Sequence, residues 1–129
     1  MATTISNSEG ADPPVRILVV EDSDTDFLLL ERQLLRLFSR CDLHRANRRG
    51  ELLAALAENW DVVVSDGHLP DIEGAELVAL IGTAAVPCVL VSGSLSALQA
   101  LTLPPGFVAL EKGDHARLRA VLLRFCGDR

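Results

Sequence analysis

Short apolar runs that each end in a polar side chain constrain the fold of this 129-residue chain more than any other feature. The runs are residues 15–20, 62–65, 89–91 and 107–111. They lead into Glu21 and Asp22, Asp66, Ser92 and Lys112, respectively. Continuous apolar runs of this length are typical of strands buried on both faces. Segments with helical spacing separate them, so the sequence predicts an α/β fold with a parallel sheet.

The polar residues that follow these runs are expected to lie close together. In an open α/β sheet, the carboxyl ends of the parallel strands share one edge, and ligands bind beyond that edge. The topology would therefore bring three carboxylates, one hydroxyl and one ammonium to a single site. Three adjacent carboxylates do not all stay ionised without a cation. We therefore expect a divalent metal there, with Lys112 as a second source of positive charge.

The remaining pattern gives the element order and one domain. We predict strands at residues 16–20, 41–46, 61–65, 87–92 and 107–111. We predict helices that begin at Ser23 and that span residues 50–59, 74–81, 94–101 and 114–125. Ser23 and Asp26 resemble a capping box at the start of the first helix. Residues 1–14 are rich in Thr, Ser and Pro and are expected to be disordered, which leaves one domain over residues 15–127.

Charge and cysteine content exclude several function classes. A net charge of −6 argues against binding to a nucleic-acid backbone. The three cysteines, Cys41, Cys88 and Cys126, have no spacing that suits disulfides or zinc, and we interpret them as buried or incidental thiols. No apolar run is long enough to span a membrane, and residues 1–14 lack the apolar core of a signal peptide. We therefore expect a cytoplasmic protein that binds neither membrane nor nucleic acid.

The ordered set of strand-end residues resembles the receiver domain of two-component response regulators. The carrying segments are VVEDS at 19–23, VVSD at 63–66, LP at 69–70, Gly74, SG at 92–93 and Lys112. The resemblance implies a flavodoxin-like three-layer sandwich whose five-stranded parallel sheet has strand order 2-1-3-4-5. It also implies a stand-alone phosphorylation switch that catalyses only its own phosphotransfer and dephosphorylation.

The resemblance assigns a role to each site residue. Asp66 would accept the phosphoryl group from a sensor histidine kinase or a phosphotransfer protein. Mg²⁺ or Mn²⁺ would be held by Asp22, Asp66 and the backbone carbonyl of His68, with Glu21 assisting. Lys112 and the Ser92 hydroxyl would contact the phosphoryl oxygens. The output partner is unknown, and the sequence leaves open whether the chain forms a homodimer.

Two departures and two alternatives accompany this interpretation. Ala109 stands where the family commonly has an aromatic side chain that couples phosphorylation to output, and Gly113 stands where proline usually follows the lysine. One alternative is an aspartate-nucleophile phosphatase of the haloacid dehalogenase type, although His68 replaces the second aspartate typical of that family. The other is a degenerate receiver that binds partners without being phosphorylated.

Overall fold

Five strands alternate with five helices in the computed structural model, which describes residues 13–127. The strands are β1 (Val15–Val20), β2 (Cys41–Ala46), β3 (Val62–Asp66), β4 (Cys88–Ser92) and β5 (Phe107–Glu111). The helices are α1 (Asp24–Leu37), α2 (Arg49–Leu56), α3 (Gly74–Gly82), α4 (Leu95–Gln99) and α5 (His115–Cys126). The order of the elements is the one that the sequence predicts.

The strands form one parallel sheet in the order β2-β1-β3-β4-β5, which confirms the predicted fold class. Successive residues of a strand point to opposite faces of the sheet. Leu18 and Val20 of β1 therefore pack into a core with residues of α2, α3 and α4. Ile17 and Val19 pack on the other face with residues of α1 and α5. The helices thus cover both faces of the sheet, and the carboxyl edge of the strands carries the polar residues.

Side-chain caps fix where three of the helices begin. Ser23, Ser94 and Asp114 each accept a hydrogen bond from the backbone N–H three residues later. These bonds satisfy donors that have no partner within the helix. Ser23 caps α1 as the sequence predicts, but the other half of the predicted capping box is absent. The backbone N–H of Ser23 donates to Glu21 Oε2 over 3.1 Å, and the Asp26 carboxylate lies elsewhere.

Several predicted boundaries and faces differ from the structure. Helix α2 ends at Leu56 rather than at residue 59, and α4 ends at Gln99 rather than at residue 101. The apolar pattern of α2 predicts Leu52, Leu53 and Leu56 on one face of the helix, but Leu53 is 47% exposed. One residue further along an α-helix is a rotation of nearly a third of a turn, which takes Leu53 away from the face of the fully buried Leu52. The apolar spacing of α5 predicts that Leu118, Val121, Leu122 and Phe125 face inward, but Phe125 is only half-buried, whereas the next residue, Cys126, is buried.

Other predictions concern the ends of the chain, membranes, location and the cysteines. Residues 1–12 of the segment expected to be disordered lie outside the described residues, and the domain limits stay a prediction. Within residues 13–127, no helix is long and apolar enough to cross a membrane. The cytoplasmic location likewise stays a prediction. Cys88 and Cys126 are buried, and burial raises the pKa of Cys41 to about 12.

Candidate functional site

Three acidic side chains meet at the carboxyl edge of the sheet. Glu21 and Asp22 follow β1, and Asp66 is the last residue of the neighbouring strand β3. One carboxylate oxygen from each residue lies within 4.8 Å of the other two. Glu21 is 4% exposed, whereas Asp22 is open to solvent. The parallel register places these residues together, as expected from strands that end at the same edge.

Lys112 brings the opposite charge to the same place from β5. Its backbone N–H donates to the Ser92 carbonyl over 2.8 Å, which continues the ladder between β4 and β5 by one residue. Its Nζ lies 3.5 Å from Glu21 Oε1 and 3.7 Å from Asp66 Oδ2. The nearest carboxylate oxygen is Asp26 Oδ2, at 2.7 Å. Lys112 therefore contacts three carboxylates, and only the contact with Asp26 has the length of a direct hydrogen bond.

Asp26 is the site residue that the sequence did not reveal. Its position three residues after Ser23 is explained by a capping box alone, so nothing in the local pattern indicated a contact with Lys112. The lysine lies 86 residues further along the chain. The only available signal was the first turn of α1, which carries both Asp24 and Asp26 beside the acidic pair that ends β1.

The surroundings of Glu21 and Lys112 shift their pKa values. Burial is the largest influence on Glu21, and together with the charge of Asp66 it raises the pKa of that carboxyl above its usual range. The hydrogen bond from Ser23 and the charge of Lys112 lower this pKa, but they do not cancel the rise. Burial works to lower the pKa of Lys112, but the hydrogen bond to Asp26 and the charges of Asp66 and Glu21 together raise it. The site thus favours a protonated lysine and disfavours the negative charge on Glu21.

Asp66 lines a cleft of about 190 Å³ together with Glu21, Asp26 and Lys112. Its side chain is 12% exposed, so it is accessible without being free in solvent. Its Oδ1 accepts a hydrogen bond from the Gly67 backbone N–H over 2.6 Å. This bond fixes the orientation of the carboxylate at the end of β3.

Ser92 ends β4, the strand next to the one that ends in Asp66. A Cβ on Gly67, the residue after Asp66, would lie 3.6 Å from Ser92 Oγ, so the hydroxyl borders the start of the loop that follows β3. The hydroxyl accepts from the Ser94 N–H over 3.1 Å and donates to the Ser94 carbonyl over 3.3 Å. Its hydrogen bonds therefore stay within its own loop. Beside it, a Cβ on Gly93 would have no heavy atom within 4 Å, which leaves open space.

The imidazole of His68 is separate from the carboxylate cluster. It is exposed and lines a groove along the β3–α3 loop with Leu69, Asp71 and Glu76. Among the described residues, the group of acids and imidazoles spaced to hold a metal consists of Glu21, Asp22 and Asp66. A ligand role for the backbone carbonyl of His68 stays a prediction.

The donor set fits Mg²⁺ or Mn²⁺. Both are hard cations that prefer carboxylate oxygens and water. The two carboxylates of Asp22 and Asp66 offer such oxygens beside the cleft, and Glu21 adds a third charge. With Asp26, which contacts Lys112, the site contains four carboxylates and one ammonium, a formal charge of −3 when all five groups are ionised. A divalent cation would offset most of this charge.

Comparisons with known proteins agree with this geometry. No protein-family model matches the chain. Two-component response regulator ARR2 of Arabidopsis thaliana is 36% identical over 80 residues, which cover 60% of this chain and 12% of that protein. The chain therefore matches only a small part of this curated relative.

Solved structures of similar fold cover nearly the whole domain. One is the receiver domain of sensor histidine kinase PA1611 from Pseudomonas aeruginosa PAO1, solved with a magnesium ion coordinated in its active site cleft. It has a TM-score of 0.73 and 21% identity, and the match covers 88% of this chain and 98% of that one. The signal receiver domain of an HD domain-containing protein from Pseudomonas fluorescens Pf-5 has a TM-score of 0.72 and 26% identity, with 86% and 93% covered. The predicted resemblance to receiver domains is confirmed, and these relatives do not favour the phosphatase alternative.

Proposed function

We propose that the chain is a phosphorylation-dependent signalling switch in which Asp66 accepts the phosphoryl group. The observation that carries this proposal is the position of the Asp66 carboxylate, within 4.8 Å of two further carboxylates and 3.7 Å from the Lys112 ammonium. Receiver domains of response regulators are signalling switches, and this arrangement supplies what an aspartate nucleophile requires. The chain would catalyse its own phosphorylation and dephosphorylation and no other reaction.

The proposed step transfers one phosphoryl group to Asp66. A carboxylate oxygen of Asp66 attacks phosphorus in line, and the new O–P bond forms as the bond from phosphorus to the donor atom breaks. The electron pair of the broken bond stays on the donor, which is a histidine of a sensor kinase or of a phosphotransfer protein. Asp22 and Asp66, with Glu21 beside them, would hold Mg²⁺, and the ion would supply positive charge against the phosphoryl oxygens.

Lys112 and Ser92 act on the product of this step. The ammonium of Lys112 pairs with a phosphoryl oxygen as a point charge. Ser92 exchanges its hydrogen bond to the Ser94 carbonyl for one to another phosphoryl oxygen, which pulls the β4–α4 loop toward β3. This exchange is a contact that exists in only one of the two states, which a shift between two conformations requires. The shifted loop would then change the affinity for an output protein.

Phosphorylation by a small-molecule donor tests the assignment. Wild-type protein incubated with acetyl phosphate and Mg²⁺ should gain the mass of one phosphoryl group, and hydroxylamine should remove it as expected for an acyl phosphate. Asp66→Asn should gain nothing. Asp71→Asn is the matched control, because Asp71 lies in the loop that follows β3 but outside the cleft. A mass gain that persists in Asp66→Asn would overturn the assignment, and no gain in the wild type would overturn the function.

A further inference from the structure

The strongest ion pair of the site joins Lys112 to a residue that the proposed phosphotransfer does not use. Lys112 Nζ lies 2.7 Å from Asp26 Oδ2 but 3.7 Å from Asp66 Oδ2. Lengths near 2.7 Å are those of a charge-assisted hydrogen bond, whereas 3.7 Å is too long for a direct one. The ammonium of Lys112 is therefore hydrogen-bonded to Asp26 of α1 and makes no direct hydrogen bond to Asp66, the proposed phosphoacceptor.

Asp26 is free to hold the lysine because a different carboxylate completes the cap of α1. Glu21 Oε2 accepts from the Ser23 N–H, the donor that the side chain of Asp26 would accept from in a capping box. The backbone N–H of Asp26 still donates to Ser23 Oγ over 3.2 Å. The side chain of Asp26 is thus released from capping, while its backbone keeps the helix start in place.

We propose that Asp26 is a positioning residue that competes with the phosphoryl group for Lys112 and so weakens the phosphorylated state. This inference rests on the proposed function of Asp66. A phosphoryl group on Asp66 needs the ammonium within hydrogen-bond distance of its oxygens. The lysine then has to leave Asp26 or share its donors with it. The cost of this exchange falls on the phosphorylated state alone, because only that state requires the lysine to move.

Removing the charge of Asp26 should therefore strengthen binding of a phosphoryl mimic. Asp26→Asn keeps the size of the side chain and the backbone cap but removes the competing charge. At saturating Mg²⁺, calorimetry should give a beryllofluoride dissociation constant about two- to fivefold lower in this variant than in the wild type, the range expected for a partly exposed ion pair. Asp26→Glu keeps the charge and should restore an affinity near that of the wild type.

Asp24→Asn is the matched control. Asp24 lies in the same first turn of α1 and carries the same charge, but it pairs with Arg45 over 2.8 Å and not with Lys112. Asparagine keeps an acceptor for that arginine, so this variant should bind the mimic as the wild type does. If Asp24→Asn and Asp26→Asn lowered the beryllofluoride dissociation constant equally, the cause would be the loss of one negative charge near the site, and the proposal would be overturned.

The remaining outcomes separate this inference from the function on which it rests. If the wild type and Asp24→Asn bind the mimic and Asp26→Asn binds it equally well or more weakly, Asp26 does not compete for Lys112 and the inference is wrong, while the switch function stands. If the wild type binds no beryllofluoride at saturating Mg²⁺, the proposed function fails, and the inference fails with it.

Discussion

Addition of Mg²⁺ should stabilise this protein strongly, and the effect should depend on Asp22. A ligand that binds only the folded state adds RT ln(1 + [L]/Kd) to the free energy of unfolding, which is about 2.7 kcal/mol at a hundredfold excess over Kd. A domain of this size gains roughly 4 °C in Tm for each kcal/mol, so the wild type should melt about 10 °C higher. The clustered carboxylates carry this prediction, because only the folded chain brings their oxygens within 4.8 Å of one another.

The variant Asp22→Asn should separate two effects of the same charge. Loss of a charged ligand should weaken Mg²⁺ binding by about tenfold or more, which limits the rise in Tm at the same Mg²⁺ concentration to about 6 °C. Without metal the variant should be the more stable protein. Two unit charges 4.8 Å apart repel by about 1 kcal/mol in surroundings close to water, and Asp22 is exposed. Its metal-free Tm should therefore rise by up to about 4 °C.

Differential scanning calorimetry with and without MgCl₂ measures both effects, and NaCl at equal ionic strength controls for screening. Trp60 is a poor reporter of metal binding, because it precedes β3 and lies at the opposite edge of the sheet from Asp66. The reasoning is refuted if Mg²⁺ raises the Tm of Asp22→Asn as much as that of the wild type. It is also refuted if the metal-free variant melts below the wild type.

Three further results are expected. Because burial raises the pKa of Glu21 above that of the unfolded chain, the metal-free protein should lose stability as pH rises through the folded-state pKa. Glu21→Gln should therefore flatten the dependence of Tm on pH. An unchanged slope of Tm against pH in this variant would contradict the prediction. Gly113→Ala should cost about 1 kcal/mol in urea unfolding because Gly113 has a φ of +93°, whereas Gly93→Ala should cost less; equal costs would count against backbone strain. With Ala109 in place of an aromatic side chain, beryllofluoride should protect residues 67–74 and 92–98 from hydrogen exchange more than residues 107–125, and the reverse pattern would show that output needs no aromatic.

The sequence predicted the sheet and the meeting of its strand-end residues because both follow from short-range patterns. An apolar run marks a buried strand, and the parallel order then brings Glu21, Asp66 and Lys112 to one edge. The ends of the helices were harder to predict because tertiary contacts decide them. Helix α4 begins after the side-chain cap that Ser94 provides and ends at Gln99, two residues before the predicted end. No periodicity in the sequence marks that end.

Asp26 illustrates a different limit of prediction from sequence. Its position fits the capping-box pattern, but Glu21 makes the hydrogen bond that this pattern assigns to the side chain of Asp26. A serine followed three residues later by an acid predicts reciprocal capping. The structure divides these bonds between Glu21, which accepts from the Ser23 N–H, and Asp26, whose backbone N–H donates to the Ser23 hydroxyl. Local sequence could not resolve this division, because it depends on a lysine 86 residues away that binds the released carboxylate.

This division of roles joins the start of α1 to the charge balance of the site. Glu21 uses Oε2 to cap α1 and places Oε1 3.5 Å from Lys112, so one buried carboxylate serves both the helix and the ammonium. If Glu21 turned away, the Ser23 N–H would lose its acceptor, and the capping pattern offers the Asp26 carboxylate in its place. Asp26 would then leave Lys112, and the ammonium would be free to move toward Asp66. A change at Glu21 is therefore expected to affect Asp66 in two ways, through the carboxylate cluster that both residues share and through the ion pair between Asp26 and Lys112.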